Sequence, residues 1–151
     1  MTFDALAEQL ERNPDSSRGQ GVADEQIDAA STELSVTLTG GYRLFLRRFG
    51  WVVLGSTEIF GLGGDVPSYL SLTAMTRSER QEAHPALPTH LVPLMNDGGG
   101  NLYCLDVRVP GEPPVVFWDH EAGTEQEPVS VAEDFVIWLS SRLERELAHD
   151  M

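Results

Sequence analysis

The sequence contains no lysine. All ten of its basic residues are arginine, against 24 acidic residues, for a formal net charge of −14 over 151 residues. Without lysine there is no Schiff-base chemistry and no phosphate-loop lysine, so pyridoxal catalysis and Walker-type nucleotide hydrolysis are excluded. The complete absence points to a genome biased toward arginine codons. The shortage of positive charge also argues against binding a nucleic-acid backbone, where affinity rests on cations that displace counterions. A basic protein partner is what such a surface attracts. Cysteine is nearly absent as well. Cys104, the single one, cannot close an intrachain disulfide, and between Tyr103 and Leu105 it reads as a small buried hydrophobe. Long apolar runs are missing: none approaches the roughly 20 residues a membrane-spanning helix needs. The first fifteen residues carry Asp4, Glu8, Glu11 and Asp15 instead of the apolar core of a signal peptide, which sets the expectation of a cytoplasmic protein.

What is present fits one domain. At this length roughly 70% of the unfolded surface is buried on folding, enough for a core without staples. "TFDALAEQLERN" places Phe3, Leu6, Ala7 and Leu10 on one helical face before Pro14 and the joint "PDSSRGQG". "ADEQIDAASTEL" brings Ile27, Ala30 and Leu34 to one side of a second helix. "GGYRLFLRRFGW" does the same with Tyr42, Phe45, Leu46 and Phe49, with Gly50 at the stop. Arg43 and Arg47, four apart, then share the opposite, solvated face.

From Trp51 the pattern changes to short apolar runs punctuated by glycine: "WVVLG", "EIFGLGG", "LVPLM", "NLYCLDVRV" and "VVFWDH" read as strands. In "NLYCLDVRV", Tyr103, Leu105, Val107 and Val109 line one face. Pro93 demotes its strand to an edge. "SYLSLTAMTRSERQEAHP" can be helical until His84 meets Pro85. "VAEDFVIWLSSRLERELAHD" closes the chain as a helix, with Ser130 and Glu133 spaced as a capping box. Trp118 and Trp138 belong to the core, and Trp51 is a candidate interface anchor.

The triglycine in "LMNDGGGNLYCLDV" is the main chemical question. A phosphate cradle needs its glycines between a strand and a helix. The residues after Gly100 alternate with a two-residue period, so "NDGGGN" reads as a hairpin turn. Other chemistry is weakly supported. His120 lies between carboxylates in "WDHEAG", and His84 and His90 flank a proline-rich joint, but no HExxH, paired CxxC or acidic metal-loop spacing is present. Serine occurs in no GxSxG context, and a cysteine inside an apolar strand lacks the electropositive setting of a nucleophile. The expectation is a protein that is not an enzyme and uses no metal or cofactor.

The order of the blocks resembles the SUKH superfamily, the Smi/Knr-like proteins that include many bacterial immunity proteins. The landmarks are the helix around Ile27 to Leu34, "LTGGYRLFLRRFG", "EIFGLGG", "LVPLMNDGGGNLYCLDV", "VVFWDHEAG" and "SVAEDFVIWL". The most specific part combines Asp97, Gly98, Gly100, Tyr103, Leu105, Asp106, Trp118, Asp119 and His120. Thr39 stands where that family usually has proline at the start of the Tyr/Phe-Leu helix. The resemblance implies a single α+β domain, with helices packed on a mostly antiparallel twisted β-sheet, over residues 21–151. Residues 1–20 form an N-terminal helix and linker.

It also implies an immunity protein that binds a cognate polymorphic toxin, of the nuclease or nucleic-acid deaminase kind, through an acidic surface. The stretch from Asp106 to Asp134 holds eight carboxylates and one arginine, Arg108. Asp119, Glu121, Glu125 and Glu127 are therefore the first candidates for partner contact, with Asp97, Glu58 and Trp51 as companions. An intracellular scaffold or regulatory module of the Smi/Knr type is the alternative. A small hydrolase around His120 comes last.

Overall fold

A computed structural model describes residues 1–149. Five α-helices pack with two antiparallel sheets around one core. The first helix, α1 (Phe3–Arg12), starts where the Thr2 hydroxyl accepts the Ala5 N–H at 3.2 Å, and it buries Leu6, Ala7 and Leu10 completely or nearly so. Its apolar stripe is thus part of the common core, together with Ile27 and Leu34 of α2 (Asp24–Leu34) and Tyr42, Phe45 and Leu46 of α3 (Gly40–Arg48). Gly50, at φ +81°, ends α3 in a backbone conformation that other residues resist.

The first sheet has the order β1-β2-β3. Its outer strand, β1 (Ser17–Arg18), lies inside the joint expected to be a linker and pairs with β2 (Val52–Leu54), which pairs in turn with β3 (Thr57–Ile59). Two residues are too few for an alternation to show in the sequence. The second sheet runs β4 (Leu91–Asn96), β5 (Leu102–Asp106), β6 (Val115–Trp118), β7 (Val129–Ala132), every pair antiparallel. Pro93 sits on the edge strand β4, next to a shift in register, as its missing N–H requires. The Phe60 N–H donates to the Leu94 carbonyl at 2.8 Å, so the end of β3 meets the middle of β4.

Two expectations are corrected along the second half. Leu102 and Cys104 are as buried as Leu105, so both faces of the strand are covered, while Tyr103 is half-buried under Phe117 and Trp138. The strand stops at Asp106, whose carboxylate folds back onto the Arg108 backbone and guanidinium, and Val109 is exposed. Ser130 is in strand β7 and caps nothing. The last helix, α5 (Phe135–His149), starts at Asp134, whose Oδ1 accepts the Ile137 N–H at 2.9 Å. "VSVA" has the two-residue period of a strand, and that local preference overrides the capping-box spacing.

The core is knitted by aromatics. Phe135 of α5 lies 5.2 Å from Tyr42 and 5.3 Å from Phe45 between ring centroids. The buried Tyr42 hydroxyl donates to the Phe60 carbonyl at 2.6 Å and ties α3 to the end of β3. Burial pushes the Tyr42 phenol far above its ordinary range. Arg47 is exposed, as expected of a solvated face, and Arg43 is partly buried; both hold Asp24, and Arg43 also holds Asp28, clamping α3 to α2. Thr39 occupies the N-cap of α3 without a side-chain bond, and the Gly41 N–H is met by Glu112.

Candidate functional site

Where β3, α4 (Leu72–Gln81) and the end of β4 converge they leave a groove of about 210 Å³. Its floor is apolar, from Phe60, Leu70 and Met75, and its polar wall is made by Glu58, Glu79 and Asn96. Tyr69, 55% exposed on the 3-10 turn before α4, stands at the rim. The alternation of β3 decides which side chains can face this way: Thr57 and Ile59 are fully buried, while Glu58 between them is half-exposed. On α4, Met75 and Glu79 are one turn apart and therefore share a face.

Glu79 is the unusual member. Burial raises its carboxyl above the ordinary value, with the neighbouring His120 pulling the other way. No arginine pairs with it among the described residues. A half-buried carboxylate over an apolar floor fits a cationic side chain, whose stem covers Phe60 and Met75 while its head meets Glu79 and Glu58.

The β4–β5 turn borders the groove. Asn96 Oδ1 accepts the N–H groups of Gly98 (2.8 Å) and Gly100 (3.3 Å). Asp97 Oδ1 takes those of Gly99 (2.8 Å) and Asn101 (3.1 Å), and Asp97 Oδ2 takes the Asn101 amide at 3.1 Å. The backbone donors that a phosphate cradle would offer are therefore consumed by the turn itself. Gly98 and Gly100 adopt φ +94° and +102°, which explains glycine there. Burial lifts the Asp97 carboxyl, but the donors from Gly99 and Asn101 outweigh it and hold it below the usual carboxylate range.

His120 joins this turn to the next one. Its backbone N–H and its Nδ1 both lie on Asn101 Oδ1, at 3.1 and 2.7 Å. Its ring packs flat against Gly100, where a Cβ would stand 3.1 Å from the imidazole. Beside it, Asp119 Oδ1 accepts the Glu121 N–H at 2.9 Å, and Glu121 Oε1 is 3.8 Å from His120 Nε2. His120 is accordingly a clasp between two turns.

The expected contact residues fall into three groups. Asp97, Asp119 and Glu121 come together around His120, and Glu58 lies across the groove from Asn96. Of these, Asp97 and Asp119 are occupied in turn formation, Glu121 stands exposed beside His120, and Glu58 has no ion pair among the described residues. Glu125 and Glu127 are exposed on the segment that leads into β7, and Glu127 contributes to the field at Arg108. Trp51 belongs elsewhere: it packs over Gly19, and its indole N–H donates to Asp65 at 3.1 Å. Glu79 and Tyr69 were not among the expected residues. The spacing of Met75 and Glu79 was a usable signal for the first, but nothing local marks Tyr69.

Among the described residues, no group of three His, Cys, Asp or Glu side chains is arranged to hold a metal ion. Cys104 is fully buried, and burial, with the charge of Glu79, pushes its thiol well above the ordinary value. It is packing, not a nucleophile. A wider concavity of about 500 Å³ opens near Ser31, Thr37, His90 and Arg108, but its arginine is already held by Asp106. No described helix is long and apolar enough to cross a membrane.

The fold and the groove define the class: an α+β domain whose candidate site is a carboxylate-walled surface groove. The family model SUKH_5, described as SMI1-KNR4 cell-wall, matches residues 3–144. The chain belongs to this SMI1-KNR4 family of the SUKH superfamily, and the match includes α1. Among solved structures, the chain is similar to a protein from Pseudomonas syringae pv. tomato, with a TM-score of 0.59 and 22% identity over 82% of this chain and 85% of that one. That likeness supports the fold alone. The comparison with curated proteins gives no match.

Proposed function

We propose that this protein is a non-enzymatic cytoplasmic immunity protein that binds a cognate protein toxin and blocks its basic, substrate-facing surface. Toxins that act on nucleic acid, as nucleases or deaminases, carry such surfaces because their substrate is a polyanion. Membership in the SUKH superfamily supports the general class, and the charge of −14 supports steering toward a basic partner. The observation that carries the reading is the groove: Glu79, half-buried with no arginine partner among the described residues, beside Glu58 over an apolar floor. An arginine or lysine of the toxin would enter there, against Tyr69, while Glu121, Glu125 and Glu127 face the surrounding basic surface. Asp97 contributes by holding the hairpin in shape.

The test is a viability rescue in which the toxin domain encoded beside the gene is expressed with and without this protein. Rescue by the native chain, and loss of rescue with Glu58→Gln and Glu79→Gln together, is the expected outcome. Survival that does not depend on this protein, or rescue unaffected by the double change, overturns the groove as the contact. The description "cell-wall" attached to the family model favours a second reading, an intracellular scaffold or regulatory module. It expects several weak partners and no neighbouring toxin.

A further inference from the structure

The opposite end of the second sheet has a different chemistry. Strand β7 is its outer strand, paired with β6 on one side only. An unpaired strand edge is a template for another strand, and proteins commonly blunt it with charge or cover it. Here Val129 is 65% exposed and Val131 45% exposed. Between β7 and α5 runs a groove of about 210 Å³, lined by Tyr103, Val131, Ile137, Trp138, Arg142 and Arg145. It is apolar at one end, where Ile137 is 42% exposed over the buried Trp138, and cationic at the other.

The two arginines stand out in a chain this acidic. Among the described residues every other arginine holds a carboxylate or a backbone carbonyl, whereas neither Arg142 nor Arg145 has a hydrogen-bond acceptor or an ion pair. The Arg142 guanidinium lies 5.5 Å above the Tyr103 ring, and its Nε is buried without an acceptor. Glu146, one turn further along α5, feels the charge of Arg142 but makes no ion pair with it and is tied instead to Ser56 and Thr57.

We propose that the β7 edge and this groove form a second docking surface, which captures an extended acidic segment of a partner by strand addition. Successive residues of an added strand face opposite ways, so the side chains facing α5 are two apart in sequence. One of them, apolar, covers Ile137 and Trp138. The next, a carboxylate, meets Arg142 and Arg145 in charge-assisted hydrogen bonds. A second copy of this chain is the poorer occupant. Antiparallel pairing of β7 with itself about Ser130 sets Glu127 opposite Glu133 of the other copy, twice, and like charges directly opposed destabilise a sheet. This surface is independent of the acidic groove and of the immunity reading.

The test uses the full chain and a capped peptide, Ile-Thr-Glu-Thr-Glu-Thr, followed by titration and by the backbone amide signals of residues 129–132. Binding that moves these signals is expected, and it should weaken at least tenfold when glutamine replaces both glutamates or when Arg142→Gln and Arg145→Gln are combined. Methylating alternate peptide nitrogens of the probe leaves the protein untouched and should abolish binding. The net negative charge of the chain works against the acidic peptide, so preference for it over its glutamine form isolates the local arginines. Equal affinity for the glutamine or methylated peptide, absence of binding, or a dimer in solution that protects the β7 amides would overturn the proposal.

Discussion

At the residue scale, carboxylates of one kind play opposite parts. The Glu79 carboxyl is raised by burial, so its contribution to stability is present below the unfolded value and lost as pH rises through the folded one. Glu79→Gln removes that penalty. The variant should melt at a higher temperature than the native chain at neutral pH, with the difference vanishing in acid, and it should bind a basic partner less well. A lower melting temperature at pH 7 would show that Glu79 is already satisfied in the free protein. Asp97 has the reverse sign: its carboxyl is lowered by the turn's donors, so its contribution is present above the unfolded value and lost as pH falls through the folded one. Asp97→Ala should cost about 1 kcal/mol at neutral pH, read in denaturant melts, and should speed amide exchange at Gly99 and Asn101. In the core, Tyr42→Phe strands the Phe60 carbonyl and should cost about 1–3 kcal/mol in the same melts.

At the scale of elements, α1 and the start of α5 are the informative cases. Leu6 is fully buried in the common core, so Leu6→Ala should destabilise the whole domain by about 2–5 kcal/mol in one cooperative transition. A separate early transition would mean that α1 melts alone. Asp134→Ala should cost about 1 kcal/mol through the lost cap, whereas Ser130→Ala should leave α5 unchanged. The helices were legible in the sequence because stripes such as Tyr42, Phe45, Leu46 and Ile27, Ala30, Leu34 repeat over two or more turns. The hairpin was legible because Asn, Asp and Gly have few other uses between two alternating runs. β1 was not, since a partner far along the chain defines so short a strand, and the alternation of β7 was masked by the capping-box spacing of Ser130 and Glu133. The site was legible in part. Glu58 and Glu121 could be picked as acidic neighbours of strands, but only the meeting of β3 with β4, through Phe60 and Leu94, brings Glu79 to Glu58. The arginines of α3 were legible as a polar face, but nothing local reveals that α2 lies beside it and pairs Arg43 and Arg47 with Asp24 and Asp28.

At the scale of the molecule, the charge is unevenly used. The arginines of α3 and of the β5–β6 loop are internally neutralised, while carboxylates gather around the groove and the two adjoining turns. A field of one sign acts at a distance, is screened beyond roughly 8 Å at physiological salt, and mainly raises the rate of encounter. The desolvated contact in the groove should act instead on the lifetime of the complex. The two contributions are therefore separable. Reversing the exposed Glu121 and Glu125 to arginine should slow association without shortening the bound lifetime, and Glu79→Gln should shorten the lifetime. The most direct measurement is the kinetics of binding between this protein and its proposed partner, a toxin domain sought in the neighbouring reading frame, at low and high salt, for the native chain and for Glu58→Gln with Glu79→Gln. The account predicts association that falls steeply with salt for both proteins and dissociation at least tenfold faster for the double variant. Binding that is indifferent to salt, with the same lifetime for native and variant chains, would contradict it.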